Sequence, residues 1–411
     1  MPGLNIITKN VASVPEKLII MREDAAFDVA DNEETGGAGC ENIPDLSSVR
    51  SIRGKASPPK VPKMFLSNDC TFNCAYCGCR ATHDERARYC NKPADLAKMA
   101  VAEAASNGRG VFISSAIHKN ADYTEELIVE TLRIMRKELH YGGYIHAKVM
   151  PGADPLLIYR AGQYANRLSV NIEVAKNEGF EMIAKQKNRS IILTPMAQIS
   201  GFIKAAAMER AGFATSQSTQ LMAGGSNEDD RTIMVLSEAM YRKYRLKRVY
   251  YTPFQYKRPA RGYEGLPLVS TPHWRMVRLY QADRLLQLYG FTPDDVTPDV
   301  QPFLEEDIDP KAGWALRNLD KYPVEVNTAD YETLLRVPGI GVTYAKRIIE
   351  ARRLCRISHE TLKRIGVALK RCRPFITCKG KYEGISFDDE LAVRKLLSSE
   401  TDFKQLELEA R

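Results

Sequence analysis

Cys70-Thr71-Phe72-Asn73-Cys74-Ala75-Tyr76-Cys77 places three cysteines at C-x3-C-x2-C spacing, with an aromatic residue directly before the third. Lys63-Met64-Phe65-Leu66-Ser67, an apolar run of strand length, precedes it. Cysteines on a loop that leaves a strand can turn their sulfurs toward one point. Three thiolates suit a [4Fe–4S] cluster and leave its fourth iron without a protein ligand. A zinc site is the competing reading, with Cys79 or His83 as fourth ligand. Zinc ribbons usually show paired C-x2-C units, and this chain has no second pair.

The 411 residues give room for a full α/β barrel and a small second domain. The hydrophobic content of 44% is ordinary for a soluble protein. No apolar run of the roughly 20 residues that span a membrane is expected, nor a signal peptide, so the expectation is a cytoplasmic protein without a membrane partner. Nine cysteines in such a chain argue for metal or redox chemistry over structural disulfides.

Residues 1–62 read as an N-terminal leader, with a Gly-rich loop around Cys40 and an extended Ser57-Pro58-Pro59-Lys60-Val61-Pro62. From Lys63 to Pro253, short β-type runs alternate with longer helical ones. The expected strands are Lys63–Ser67, Gly110–Ser115, Tyr144–Met150, Leu168–Glu173, Ala214–Ala223 and Arg248–Thr252. The expected helices include Pro93–Ser106, Tyr123–His140, Pro155–Ala165, Ile199–Ala211 and Asp229–Tyr244. Alternation of this length predicts a parallel sheet with right-handed crossovers.

The pattern C-x3-C-x-aromatic-C resembles the radical SAM superfamily, in which the open iron chelates S-adenosylmethionine (SAM) and an electron from the cluster yields a 5'-deoxyadenosyl radical. The resemblance implies a partial (β/α)6 barrel over 63–290 with its chemistry at the C-terminal strand ends. It also implies a [4Fe–4S] cluster on Cys70, Cys74 and Cys77, SAM beside Tyr76, and a flavodoxin- or ferredoxin-type electron donor. Ser114-Ser115-Ala116 stands where the family places a Gly-Gly-Glu-like motif for the SAM amino group. Two serines replace the glycines, and a small-residue turn is the alternative. Asn171 and Glu173 are similar to the Asn-x-Asp that biotin synthase-like enzymes use for the SAM ribose, with a helix cap as the alternative. Gly224 and Gly225, after the fifth strand, are loosely similar to a glycine element that lets the backbone approach adenine. Gln217, Ser218, Thr219 and Gln220 are unusually polar for a buried strand, and either read a substrate base or tie the barrel together. Lys148 is open between pairing the SAM carboxylate and a solvated rim position.

Tyr251-Thr252-Pro253-Phe254-Gln255-Tyr256-Lys257-Arg258-Pro259-Ala260-Arg261-Gly262-Tyr263 interleaves rings with cations, as nucleic-acid contacts do, and equally suits a loop closing a barrel mouth. Residues 291–322, rich in Pro and Asp, read as a linker with a short helix at Lys311–Leu319. Residues 323–385 hold the second strong signal. Val326 to Ile349 closely resembles a helix-hairpin-helix DNA-binding motif, with Asn327 as the expected cap of its first helix. Pro338-Gly339-Ile340-Gly341 forms the turn, where glycine allows positive φ, and amides there face a phosphate. Lys346 and Arg347 add charge, and Glu360-Thr361-Leu362…Ile365-Gly366-Val367 is a weak repeat. Residues 323–385 carry 13 Lys/Arg against 6 Asp/Glu in a chain of net charge +8, so the surplus is concentrated there. An acidic tail follows at 386–411, with 7 Asp/Glu against 4 Lys/Arg. Contact with another protein is the alternative role for the hairpin.

The whole resembles a family of radical SAM proteins assigned to DNA modification or repair and linked with uracil-DNA glycosylases. Its anchors are the cysteine motif, Gln217-Ser218-Thr219-Gln220, Leu279-Tyr280-Gln281-Ala282-Asp283 and the hairpin. The resemblance implies a SAM-cleaving enzyme acting on DNA, with a uracil-DNA glycosylase among its partners. The competing readings are a radical SAM enzyme acting on RNA and a metal-stabilised nucleic-acid-binding protein without radical chemistry.

Overall fold

The computed structural model describes residues 61–82, 87–107, 110–255, 266–384 and 390–398. The expected leader, Cys40, His83 and most of the aromatic-cationic stretch after Gln255 lie outside them. The described chain forms two compact units. One holds the residues up to Asn227 with Met240–Ser270, and the other holds Glu228–Ala239 with the residues from Thr271 on.

In the first unit, six parallel strands run in sequence order: β1 (Lys63–Phe65), β2 (Val111–Ser114), β3 (Ile145–Lys148), β4 (Arg167–Ser169), β5 (Ser216–Ala223) and β6 (Arg248–Pro253). This is a partial (β/α)6 barrel curled into half a cylinder. Helices Pro93–Asn107, Ala121–Arg133, Pro155–Tyr164 and Arg189–Glu209 make the crossovers that parallel pairing demands. Three of these starts have a local cause. Asn120, Asp154 and Asn188 accept backbone N–H bonds as N-caps, and Pro155 sits in the first turn after its cap. The Asn188 cap starts the longest helix ten residues before the expected Ile199.

That helix, Arg189–Glu209, has 21 residues and by length and composition is long enough to cross a membrane, contrary to the sequence expectation. Its place between β4 and β5 accounts for an apolar stripe: Ile192, Pro195, Met196 and Ile199 are buried.

Register assigns the two faces of the sheet. Gln217 Nε2 donates to the carbonyls of Met196 (3.1 Å) and Tyr244 (2.7 Å), both in covering helices, so its row faces outward. Leu168 is its register partner, and Met64, Ile113 and Ala147 continue that apolar row. The adjacent row, Phe65, Ser114, Lys148, Ser169, Ser218 and Arg248, faces inward. A closed (β/α)8 barrel fills its interior with branched apolar layers. This half-barrel is instead lined with hydroxyls and cations, which suits a polar guest.

β4 ends earlier than expected because of a bulge. Ser169 pairs with Ser218, yet Glu173 bridges to Leu221, so four steps on one strand meet three on the other. The Thr219 hydroxyl fills the gap, donating to Val170 O (2.7 Å) and accepting from Ile172 N–H (2.8 Å). Glu173 takes a left-handed φ of 65° there.

Glu125, on the helix beside β3, is fully buried and accepts the Met150 N–H at 2.8 Å. Burial pushes its carboxyl up to about 8. The unfolded chain releases this proton near pH 4.5, the folded chain near 8. Folding stability therefore declines as pH rises between those values. Glu125→Gln, which cannot ionise, is expected to match wild type near pH 5 and to exceed it by a few kcal/mol above pH 8 (on the order of 1.4 kcal/mol per pKa unit, an upper bound). Urea melts at the two pH values check this.

In the second unit, helix His273–Leu288 leads into segments expected as linker. Residues 291–322 are folded: Pro293–Val296 opens with a Thr292/Asp295 capping box, Pro310–Leu316 is capped by Asp309, and Trp314 is buried. The hairpin helices are Tyr331–Arg336 and Val342–Arg352, followed by His359–Ile365 and Leu369–Cys372. This helical unit also carries a minimal sheet, β7 (Val324–Glu325), β8 (Ile376–Cys378) and β9 (Lys381–Tyr382). The acidic tail is folded in part. Helix Glu390–Leu397 buries Val393 and Leu397, and its Arg394 bonds to Asp307 (2.6 Å) and Glu305 (2.7 Å).

Candidate functional site

The cysteine loop leaves β1 and is pinned from several sides. Thr71 N–H donates to Ile117 O (2.9 Å), Ala75 N–H to Ile183 O (2.8 Å) and Ala81 N–H to Phe72 O (2.8 Å). Cys70 and Cys77 pack against Phe65, Cys79 and Ala116, while Cys74 is buried. Backbone amides already point at two sulfurs: Phe72 N–H at Cys70 Sγ and Cys79 N–H at Cys77 Sγ, both 3.4 Å. All three cysteines are free thiols. Burial pushes the Cys74 thiol up to about 12, against the pull of the Lys187 ammonium.

Among the described residues, no three His, Cys, Asp or Glu side chains are drawn together as a metal-holding group. The donor chemistry still fits a cluster. Three thiols share one anchored loop, amides face two of the sulfurs, and Lys187 stands ready to offset thiolate charge.

Lys187 is the residue that sequence reading missed. Its Nζ lies 2.6 Å from Glu173 Oε1 and 3.5 Å from the Tyr76 hydroxyl. Burial alone lowers the pKa of an ammonium. Here the Glu173 carboxylate and Cys74 outweigh it, and the Lys187 pKa is raised. Burial and Glu173 together push the Tyr76 phenol well up. A lysine four residues past the short helix Glu178–Ile183 carries no local signal. Only the bulge at Glu173 brings its carboxylate to Lys187.

The other expected residues sit at or just past strand ends. Ser114 is buried, and the Ser115 hydroxyl donates to Ala116 O (2.6 Å), so it is engaged within its own turn. Asn171 is buried in the bulge, which breaks the strand alternation that paired it with Glu173. Gly224 has φ 82°, and a Cβ on Gly225 would lie 3.3 to 3.4 Å from Phe254, Ile183 and Met222. Gln217 and Thr219 tie the barrel together, as described above. Tyr251 and Phe254, expected among stacking rings, are core residues.

In the second unit the hairpin turns at Gly339, with φ 84°. Gly341 has an ordinary extended φ of −96° and is the N-cap of Val342–Arg352, so positive φ explains only the first glycine. The expected Asn327 cap is also corrected. Asp330 caps Tyr331–Arg336, whereas Asn327 clamps the chain at Ile357, accepting its N–H (2.7 Å) and donating to its carbonyl (3.1 Å). Pro338 and Ile340 are buried beneath the turn, and Lys346 and Arg347 are exposed. The weak repeat folds as a second helix-turn-helix with Gly366 at φ 94°.

A helix-hairpin-helix motif family matches residues 320–356. No curated protein matches the sequence. Among solved structures, the chain is similar to the FeFe-hydrogenase maturase HydG from Carboxydothermus hydrogenoformans, at 13% identity over 55% of this chain and 51% of that one, with a TM-score of 0.41. A second structure of HydG, a maturase of the [FeFe]-hydrogenase, matches at 14% identity over 55% and 49%, with a TM-score of 0.40. The chain thus spans about half the length of each.

Proposed function

We propose that this protein is a radical SAM enzyme that acts on DNA. The observation that carries the reading is the meeting of the C-x3-C-x2-C loop with Tyr76, Glu173 and Lys187 at the end of a half-barrel lined with polar side chains. Cys70, Cys74 and Cys77 would hold a [4Fe–4S] cluster, which with bound SAM supplies reductive cleavage to a 5'-deoxyadenosyl radical. The chain's own residues do the rest. Glu173, held by Lys187, is poised to accept from ribose hydroxyls, and Asn171 can both donate and accept beside it. Lys187 is a buried cation suited to a carboxylate. Gly224, at φ 82°, lets the chain turn sharply after β5, while Gly225 packs against Phe254, Ile183 and Met222. The inward row of Ser114, Lys148, Ser169, Ser218 and Arg248 is polar, which suits a substrate with hydrogen-bonding groups. The helix-hairpin-helix matched at 320–356 supports nucleic acid as the partner, and its backbone amides suit phosphates irrespective of sequence. An electron donor of flavodoxin or ferredoxin type and a uracil-DNA glycosylase remain the partners that the family resemblance proposes.

Glu173→Ala and Lys187→Met are each expected to weaken SAM binding by roughly 10- to 100-fold, as lost charge-assisted bonds do. Iron content should be unchanged in Glu173→Ala. Isothermal titration of the anaerobically reconstituted protein, with iron assay on the same sample, checks both. Unchanged affinity in both variants removes these residues from the SAM site.

A further inference from the structure

We infer that Lys311, which lies outside the matched motif, is a charged positioning residue of the nucleic-acid hairpin, fixing the turn from beneath and adding a buried positive charge behind its amides for a backbone phosphate. This rests on the nucleic-acid reading above. Lys311 sits in the first turn of Pro310–Leu316 and is 8% exposed. Its Nζ donates to Ile340 O at 2.6 Å, the carbonyl between Gly339 and Gly341. The ammonium also lies 4.9 Å from the centroid of the Tyr289 ring, whose hydroxyl would stand 3.2 Å from a Cβ on Gly341, the N-cap of the second hairpin helix.

Two features separate this arrangement from an ordinary buried tie. An ammonium has three donors, and one is used. Lys311 makes no ion pair among the described residues, because the nearby Asp309 carboxylate is paired to Arg371. An unpaired buried cation is costly, and the cost is recovered when an anion arrives. The anion that a helix-hairpin-helix turn receives is a phosphate, placed by the Gly341–Val342 helix start.

The charged and titratable groups facing Lys311 are Asp309 on its own helix, Arg336 on the first hairpin helix, Arg371 and Cys372 on Leu369–Cys372, and Tyr289. Burial, with Arg371 and Arg336, outweighs Asp309 and pushes the lysine down to about 7. A phosphate raises it again. Binding is therefore favoured below about pH 7 and weakens as Lys311 loses its proton above it.

The test is fluorescence anisotropy of the full chain with a labelled duplex, from pH 6 to 8.5 at fixed ionic strength, with circular dichroism to verify folding. Wild type should lose roughly tenfold in affinity between pH 6 and 8, the weight of one proton over that range. Lys311→Met should bind about tenfold more weakly at pH 6 and show a flat profile. Lys311→Arg, which keeps its charge, should bind at pH 8 at least as well as wild type at pH 6. Should Lys311→Met fail to fold, the Lys311→Arg profile decides alone. Lys346→Glu with Arg347→Glu separates the two claims. If that double variant loses binding while wild type and Lys311→Arg share one flat profile, the inference is overturned and the nucleic-acid reading stands. If wild type binds no duplex at any pH, both fall.

Discussion

Cys74→Ala should leave the anaerobically reconstituted protein without its brown cluster absorbance and unable to make 5'-deoxyadenosine. Cys70→Ala and Cys77→Ala should do the same. On the proposed reading each cysteine would supply one of three protein bonds to the cluster, and Cys79, packed with Cys70 and Cys77, is the described thiol that could stand in for a lost one. Losing an outer partner of a metal site commonly costs 10- to 100-fold, so losing a ligand should lower activity by more than about a hundredfold. Cys79 and Cys90 are the controls. Interaction with the Cys77 sulfur and burial together push the Cys79 thiol strongly upward. Cys90 is exposed and belongs to an antiparallel bridge with Ser67. Cys79→Ala and Cys90→Ala should retain iron. Iron and sulfide assays with electron paramagnetic resonance of the reduced protein make the comparison. A protein that takes up zinc and no iron would put the three sulfurs in a structural site.

The second large effect belongs to Gly339. A valine there would hold a β-branched side chain at φ 84°. Its Cβ would stand 3.1 Å from Ala368 O and 3.3 Å from Cys372 N, backbone atoms of the second helix-turn-helix, and 3.0 Å from Arg371 Cβ. Left-handed strain of about 1–2 kcal/mol and overpacking of about 1–3 kcal/mol together make a loss of roughly 3 kcal/mol. Gly341→Val meets only the Tyr289 hydroxyl, at 3.2 Å, from an ordinary φ. It should cost less than about 1 kcal/mol of stability, yet weaken duplex binding by crowding the turn. Urea unfolding of both variants, beside duplex anisotropy, separates folding from binding. Equal losses of stability would mean that the turn does not depend on the conformation of Gly339.

What could be read before the structure follows the range of the interactions. The six strands and their order came from local alternation, and the hairpin from a run of adjacent residues. Long-range contacts were hidden. Nothing near Glu173 announces a bulge, because its cause is the hydroxyl of Thr219, 46 residues away along the chain. Lys187 belongs to the site for the same reason. Other misses had legible signals. Thr292-Pro293-Asp294-Asp295 is a capping box, so the supposed linker carried one unread helix start in plain view, whereas the short helix expected at Lys311–Leu319 is found at Pro310–Leu316, started by the Asp309 cap and a first-turn proline. Asp330, three residues before Thr333, was a better cap than Asn327, whose partner Ile357 lies 30 residues on.

The account joins SAM cleavage to DNA as substrate, and one measurement bears on both. The reconstituted protein is supplied with SAM, an anaerobic reductant and a duplex deuterated throughout its nucleosides, and the 5'-deoxyadenosine formed is weighed by mass spectrometry. The prediction is that 5'-deoxyadenosine forms faster with duplex than without and carries deuterium taken from it. Its absence, or its formation unlabelled at the rate seen without any oligonucleotide, would contradict the account.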